Sequence, residues 1–454
     1  RWAALGTLVL LLNGCALVMP PTQVSPAVPP AWQAPLPHAG SVSDLRQWWQ
    51  SQGDATLVSL IEAAQRVSPG VAQAQTRLAQ ARASQAQAAS ALSPQVSAQA
   101  GVQRGVNAPG VPLATSLNAG LQTSWELDVV GANRTVSQAA QAQVQSSQAL
   151  WHDARVSVAA EVALAYHGYH HCQAQKALQQ QQTDSWRESA RLSERAVQAG
   201  LASRTEGALA QSAAADSALR LQQQTQACDL SVKALVALTG MDESGLRQTL
   251  AAASLAPEQA AAFAIAAVPA QTVAQRPDVF AAERDVVLAS AQVGAAQAQR
   301  YPRLMLNGSI GALRMQAQGA QTDLTTWSFG PLALSLPVWD SGQRAAQVQA
   351  AQAQYAQAVT VYQARVRQAV REVEEALLAL QSTQARLADM AVVVAGAEQA
   401  WQAAQTQHRQ GLANRLQLEK ARRQRLAAHM AKTALETERR GAWVALYRAS
   451  GGGF

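Results

Sequence analysis

The sequence predicts a mainly helical protein with a smaller amount of β-structure, in which one structural unit occurs twice. Proline is absent from residues 113–256 and from residues 338–454. An interior proline costs a helix about 3 kcal/mol, so these stretches can form very long helices. Two other stretches alternate apolar and polar residues, as β-strands with two different faces do. Short motifs that recur in the same order indicate the duplication.

The duplication is visible in pairs of matching motifs. Gly200-Leu201-Ala202-Ser203-Arg204 returns 211 residues later as Gly411-Leu412-Ala413-Asn414-Arg415. Earlier in the chain the offset is smaller, because Pro69 and Pro277 are 208 residues apart. We therefore expect three extra residues in the β-hairpin of the second copy or in its loop.

The composition argues against a nucleic-acid partner. The net charge is +7, but only 14% of the residues are charged and 5% are aromatic. The basic residues are spread along the predicted helices without a dense run or an aromatic platform beside them, and we interpret them as solvated helix faces.

The first residues resemble an export signal. Arg1 precedes an apolar run from Trp2 to Leu12, which is too short to span a bilayer but suits a signal peptide. The motif that ends at Cys15 resembles a bacterial lipoprotein box, in which the cysteine is acylated. A buried helix with an incidental cysteine is the alternative. We predict a truncated signal peptide at residues 1–15, a covalent lipid on Cys15 and no other cofactor. The residue after this cysteine is Ala16, and the absence of aspartate there resembles the sorting signal of Gram-negative outer-membrane lipoproteins.

The domain organisation follows from these breaks. Residues 16–56 are predicted to be a proline-rich tether and an N-terminal clasp that contains Trp48 and Trp49. The first repeat is 57–240, with a helix, a β-hairpin at 94–130 and a helical hairpin at 132–240. Residues 241–272 form a linker or equatorial side domain. The second repeat is 273–454, with a helix, a β-hairpin at 302–338 and a helical hairpin at 343–450.

The β-hairpins have unusually long arms with one apolar and one polar face. Val96, Ala98, Ala100 and Val102 are each followed by a polar residue or glycine. This pattern is typical of transmembrane barrel strands, with a soluble sandwich as the alternative. Four such strands cannot enclose a pore, and open edges are unstable in lipid.

The chain is therefore expected to form a trimer. Three copies would supply about twelve strands for a transmembrane β-barrel. Each helical hairpin begins with a helix of about 69 residues, which is about 100 Å long and would build a periplasmic α-helical barrel. The expected assembly is a conduit.

A set of short motifs runs through the chain from Trp48 to its last residues. They are Trp48-Trp49; Trp125-Glu126-Leu127-Asp128 before Gly131; Arg276-Pro277-Asp278-Val279 with Glu283; Phe329-Gly330-Pro331; Leu336-Pro337 with Asp340 and Gly342; Glu372-Val373-Glu374; and Leu446-Tyr447-Arg448 with Gly451-Gly452-Gly453. Their order resembles the TolC-like outer-membrane factors, and among them the lipoproteins of tripartite efflux systems. The resemblance implies a homotrimer in the Gram-negative outer membrane. It also implies a periplasmic adaptor and an inner-membrane pump of the resistance-nodulation-division type as partners.

The resemblance also suggests a periplasmic gate near the helix-tip turns at Gly200 and Gly411. Leu416 falls where relatives have an apolar constriction. Gln417 and Lys420 stand where many relatives have aspartates, so no acidic ring is expected. The alternative is that Lys420 points outward and pairs with Glu419 or with a neighbouring helix.

Two further clusters have structural explanations. Cys172 and Cys228 each lie 28 residues from residue 200, so a disulfide between antiparallel helices is predicted, with two separate buried thiols as the alternative. His167 and His171 share a helix face but lack a further ligand, and we expect a surface histidine cluster and no metal site.

The sequence as a whole predicts an outer-membrane channel that passively exports drugs or other small molecules, not an enzyme. A type I secretion duct or a metal-efflux duct would have the same architecture. A structural periplasmic coiled-coil lipoprotein is the alternative of another class, but it would not need two amphipathic hairpins.

Overall fold

The structure, a computed structural model, describes residues 17, 19–33, 48–51, 53–106, 112–253, 255 and 269–452. Of Ser51 and of residues 269–271 it describes the backbone alone. Cys15 and the predicted signal peptide lie outside the described residues, as do parts of the predicted tether and of the predicted linker. Among the described helices, none combines the length and the apolar character that crossing a membrane requires.

The first half of the chain contains the predicted order of helix, hairpin and long helices. Its elements are α1 (Trp48–Ser51), α2 (Ala55–Val67), α3 (Pro69–Ser90), β1 (Gln95–Gly105), β2 (Ala114–Leu127), α4 (Ala132–Gln198) and α5 (Arg204–Thr239). Helix α6 (Glu243–Ala252) follows in the predicted linker.

The second half repeats this order. Its elements are α7 (Pro269–Ala274), α8 (Pro277–Ala298), β3 (Arg303–Ala317), β4 (Ala320–Ser335), α9 (Gln343–Arg409) and α10 (Arg415–Ala449). Helices α4 and α9 have 67 residues each, which corresponds to about 100 Å. The prediction of a mainly helical fold with a small amount of β-structure is confirmed.

The three extra residues of the second copy lie outside its hairpin. Gln95 and Arg303 begin β1 and β3, and both these starts and the ends of β2 and β4 keep the offset of 208. The offset becomes 211 only at the starts of α4 and α9. The expectation that the hairpin or its loop contains the insertion is therefore wrong. The insertion lies in the connection from β4 to α9, where Val338 and Trp339 are almost fully exposed.

The four strands form one antiparallel sheet in the order β1-β2-β3-β4. The register places apolar residues opposite one another on one face and polar residues on the other. One apolar row across the strands is Ala98, Leu121, Ile310 and Trp327. One polar row is Ser97, Gln122, Ser309 and Ser328. β2 and β3 approach closely at Gly120, where a Cβ atom would lie 2.6 Å from the Ile310 carbonyl oxygen.

The described chain divides into two compact units, and each takes segments from both sequence copies. The first comprises residues 1–27, 74–150 and 280–365; the second comprises 28–73, 151–279 and 366–454. The sheet lies in the first unit, and the main hydrophobic core lies in the second. The two sequence copies therefore do not correspond to the two compact units.

The predicted N-terminal clasp is an aromatic cluster of the second unit. Trp48 stacks on Tyr447 with ring centroids 5.0 Å apart, and Trp49 meets the same ring edge-on at 4.8 Å. All three side chains are buried. Asp54 caps α2 by accepting from the Leu57 amide at 3.0 Å. The contacts join the N-terminal segment to the last helix.

A buried arginine explains two of the sequence motifs. Arg276 donates to both carboxylate oxygens of Asp278 at 2.9 and 2.8 Å and lies 2.7 Å from a Glu372 oxygen. It also donates to the Ala449 carbonyl at 3.0 Å. One guanidinium thus ties the start of α8 to α9 and to the end of α10. A Cβ at Gly451, where φ is +90°, would lie 2.5 Å from the carbonyl oxygen of the residue preceding this arginine.

The described part of the predicted tether is docked rather than free. Within the first unit, Ser290 donates to the Pro20 carbonyl at 2.6 Å and Tyr355 donates to the Pro21 carbonyl at 2.7 Å. Met19 lies over Gly294, where a Cβ would come within 2.8 Å of its side chain. The proline-rich segment is extended, as expected, but helix side chains hold its carbonyl groups.

Candidate functional site

The two long helical hairpins turn in the same way. Gly200 and Gly411 have φ values of +73° and +78°, a region that glycine enters without the strain of a side chain. The next residue in each turn is a leucine that points into solvent. Leu201 is 84% exposed and Leu412 is 76% exposed. Each hairpin thus ends in an apolar side chain that no described residue covers.

Reciprocal hydrogen bonds begin the returning helices. Ser203 and Glu206 form a capping box at α5, and Asn414 and Gln417 form one at α10. The Gln417 side-chain oxygen accepts from the Asn414 amide at 3.0 Å, while the Asn414 side chain accepts from the Gln417 amide at 2.9 Å. Gln417, which the resemblance suggests as a gate residue, has a capping role in the structure. The Asn-x-x-Gln spacing in the sequence is the signal of this capping box.

Leu416 and Lys420 lie on the first turns of α10 and are both exposed, Leu416 to 39%. The residue that precedes Lys420 in the sequence is buried instead. Glu419 is only 1% exposed, and its carboxylate lies 3.2 Å from Arg415 and 3.7 Å from Arg422. Glu419 is thus shared by two arginines. The alternative that Lys420 pairs with Glu419 is not what the structure contains.

Arg423 joins α10 to α4 without a carboxylate. Its guanidinium lies over the Trp186 ring, 3.9 Å from the centroid, and donates to the hydroxyl groups of Ser185 and Ser189 at 3.0 and 2.8 Å. Within the part of the chain that the structure describes, no acidic oxygen lies within 4.0 Å of it. Burial lowers the pKa of Arg423 below its usual value. Arg423 is not among the site residues that the sequence predicts.

Charged pairs join α9 and α10 further from the turn. The Glu398 carboxylate accepts from Arg425 at 2.7 Å and lies 2.8 Å from the His429 ring nitrogen. Arg386 and Glu438 form a second, two-pronged pair at 2.7 and 2.9 Å. These side chains are partly or largely exposed. The second hairpin is therefore held partly by interactions that salt weakens.

The first hairpin has a covalent link in the corresponding region. Cys172 of α4 and Cys228 of α5 are bonded through their sulfurs, with Cα atoms 5.4 Å apart, and both are buried. The Gln224 amide donates to the Cys172 carbonyl at 3.3 Å. At the offset of 211 the second hairpin has Thr383 and Arg439 instead. The two hairpins thus share a shape but not the means of holding their helices together.

The histidines near Cys172 are half-buried, not a surface cluster. Burial, with a further contribution from Arg440, lowers the pKa of His167 to about 4. The pKa values of His170 and His171 are also lowered, mainly by burial. Among the described residues, no group of three or more histidine, cysteine or acidic side chains could hold a metal ion.

The sheet of the first unit exposes apolar side chains that a single chain does not cover. Trp327 and Phe329 of β4 are 76% and 81% exposed. The edge strands β1 and β4 pair on one side only within the described residues. A soluble sandwich would need a second sheet against this apolar face, and the described residues contain one sheet.

Comparisons with known proteins agree with this geometry. The sequence profile described as "Outer membrane efflux protein" matches residues 60–241 and 268–452. Outer membrane protein OprJ of Pseudomonas aeruginosa strain PAO1 is 28% identical over 485 aligned residues, covering 98% of this chain and 95% of OprJ. The outer-membrane channel OprN matches the fold with a TM-score of 0.80 at 26% identity, covering 96% of this chain and 99% of OprN. The Campylobacter jejuni CmeC outer membrane channel has a TM-score of 0.82 at 21% identity, with coverages of 97% and 95%.

Proposed function

The chain belongs to the outer membrane efflux protein family, and on that premise we propose that it is the outer-membrane channel of a tripartite efflux system. The single observation that supports this best is the four-stranded sheet with an exposed apolar face and two edge strands. An apolar face and unpaired edges are costly in water, and both are satisfied when copies of the sheet join into a closed barrel in lipid. Three copies would give twelve strands, enough to enclose an open lumen.

The exposed side chains at the helical tips favour a partner protein that delivers the cargo. Leu201 and Leu412 are exposed at the turns, and a second protein could cover them. In the proposed system this protein is a periplasmic adaptor that connects the channel to an inner-membrane pump of the resistance-nodulation-division type. The channel itself is a passive duct without a catalytic step. The cargo is drugs or other small molecules.

The proposed location is the Gram-negative outer membrane. The sheet crosses the membrane, and a covalent lipid on Cys15 adds a second attachment. Met19 is docked only four residues after that cysteine, so the lipid would start within about 14 Å of the helix face that Met19 contacts. A type I secretion duct or a metal-efflux duct remains an alternative with the same architecture. If the chain were a structural coiled-coil spacer, the exposed apolar face of its sheet would have no partner.

Export assays in a Gram-negative host that lacks its own efflux channel test the proposal. The chain is expressed with a periplasmic adaptor and an inner-membrane pump of the resistance-nodulation-division type, and accumulation of the uncharged dye N-phenyl-1-naphthylamine is measured. We expect the intact chain to lower accumulation and the Leu201→Asp/Leu412→Asp double variant to lose most of this effect. Leu230→Asp is the matched control, because Leu230 is 59% exposed but lies in the second half of α5, away from the turn. If the dye accumulates to the same level as in the host without the chain, although the protein is correctly inserted, the proposal is contradicted.

A further inference from the structure

The first three turns of α10 contain most of the chain's excess positive charge. Residues 415–425 include five basic side chains and one acidic side chain, a net charge of +4. The corresponding residues of the first copy, 204–214, include one of each and are neutral. The expectation that basic residues occur without a dense run is therefore wrong for this segment. The difference in charge between the two copies is present in the sequence itself.

The structure separates the compensated charges from the uncompensated ones. Arg415 and Arg422 share the buried carboxylate of Glu419, and Arg415 also lies 3.9 Å from the carboxylate of Glu188 of α4. Arg425 pairs with Glu398 of α9. Lys420 is exposed and makes no ion pair with a described residue.

Arg423 adds a charge that cannot move away. Serine hydroxyl groups and the Trp186 ring hold its guanidinium, and these neutral groups orient the charge without cancelling it. Lys420 and Arg423 thus give each copy of α10 about two positive charges without an acidic partner among the described residues. In a trimer the segment would occur three times around one axis.

We propose that this segment makes the helical entrance of the channel selective for anions, so that small organic acids are favoured over organic cations. The inference rests on the proposed channel function. Rings of basic side chains attract anions and exclude cations in other pores. Fixed charge of one sign in a confined passage raises the local concentration of the opposite ion. The Debye length is about 8 Å at physiological ionic strength, so a ring of this kind influences ions across a narrow opening.

The test measures the reversal potential of the purified full-length protein in planar bilayers under a KCl gradient. We expect a permeability ratio of chloride to potassium above 1. Lys420→Glu should bring the ratio below 1, and Lys420→Gln should give an intermediate value. When the gradient is set between solutions of about 1 M KCl and higher, where the Debye length is about 3 Å or less, the difference between the permeability ratios of the variants should shrink.

Lys432→Glu is the matched control. It makes the same charge change on the same helix, 12 residues or about 18 Å from Lys420. Its permeability ratio should stay at the value of the unmodified chain. Cation preference in the unmodified chain would overturn the inference, as would an identical ratio in Lys420→Glu. A complete lack of conductance in every variant would instead contradict the proposed function.

Discussion

Replacing Arg276 tests whether the buried ion cluster holds three helices together. In Arg276→Ala, the carboxylates of Asp278 and Glu372 lose their shared partner, and the Ala449 carbonyl loses a donor. The Arg276 side chain is only 7% exposed, so water cannot easily replace it. The variant should therefore open locally where α8, α9 and the end of α10 meet.

The expected size follows from the number and burial of these contacts. Removing one member of a buried ion pair typically costs about 3–5 kcal/mol, because the partner is left charged and unpaired. A cost of 1.36 kcal/mol changes an equilibrium tenfold. Amide protection at the start of α8 should thus fall by a factor of roughly 10² to 10³ or more, provided that exchange there requires this opening.

Hydrogen–deuterium exchange of the detergent-solubilised protein measures this protection segment by segment. Arg386→Ala is the matched control, because Arg386 also makes a two-pronged pair, with Glu438, but both side chains are about half exposed. We expect no measurable change in the control, since exposed pairs add little. Equal protection at the start of α8 in both variants would refute the argument that burial gives the Arg276 cluster its strength.

Three further changes should have distinct effects. Cys172→Ser removes the disulfide to Cys228, whose sequence separation of 56 residues corresponds to about 4 kcal/mol of loop-closure entropy. Hydrogen–deuterium exchange should rise in α4 and α5 without a comparable rise in α9 and α10. Equal rises in both hairpins would count against a local stabilising effect of the disulfide. Burial lowers the pKa of His167 from 6.5 to about 4, so the contribution of this neutral side chain to folding stability is complete above pH 6.5 and falls as the pH drops towards 4. The apparent thermal midpoint of His167→Phe should fall less over this range than that of the unmodified chain. Parallel plots of midpoint against pH for the two proteins would exclude the effect. Gly294→Leu should displace the docked N-terminal segment and expose it to protease. Gly396→Leu, at a position with open space, should leave the segment protected. Equal cleavage of the two variants would show that the contact of Met19 with Gly294 does not hold the segment.

The architecture could be predicted because its signals are local and repeated. Proline-free stretches and period-two alternation depend on the backbone alone, and each of the four strands lies within a predicted hairpin. The turns at Gly200 and Gly411 were visible for the same reason, since a positive φ favours glycine. Equal spacing around residue 200 was also enough to bring Cys172 and Cys228 opposite each other.

The remaining features depend on contacts between segments far apart in the chain. Arg423 meets Ser185 and Ser189 across more than 200 residues, so no local pattern marks it as an anchored charge. The docked proline-rich segment escaped prediction because its composition suits a free tether equally well. Gln417 was assigned from a resemblance in sequence position, which says nothing of its hydrogen bonds with Asn414.

The number of copies in the purified assembly tests the central claim most directly. Native mass spectrometry of the protein released from detergent or nanodiscs counts the chains without reference to any partner. The account predicts three copies, because a four-stranded sheet with two open edges needs two more sheets to close. A stable, folded single chain that remains dispersed without detergent would contradict it.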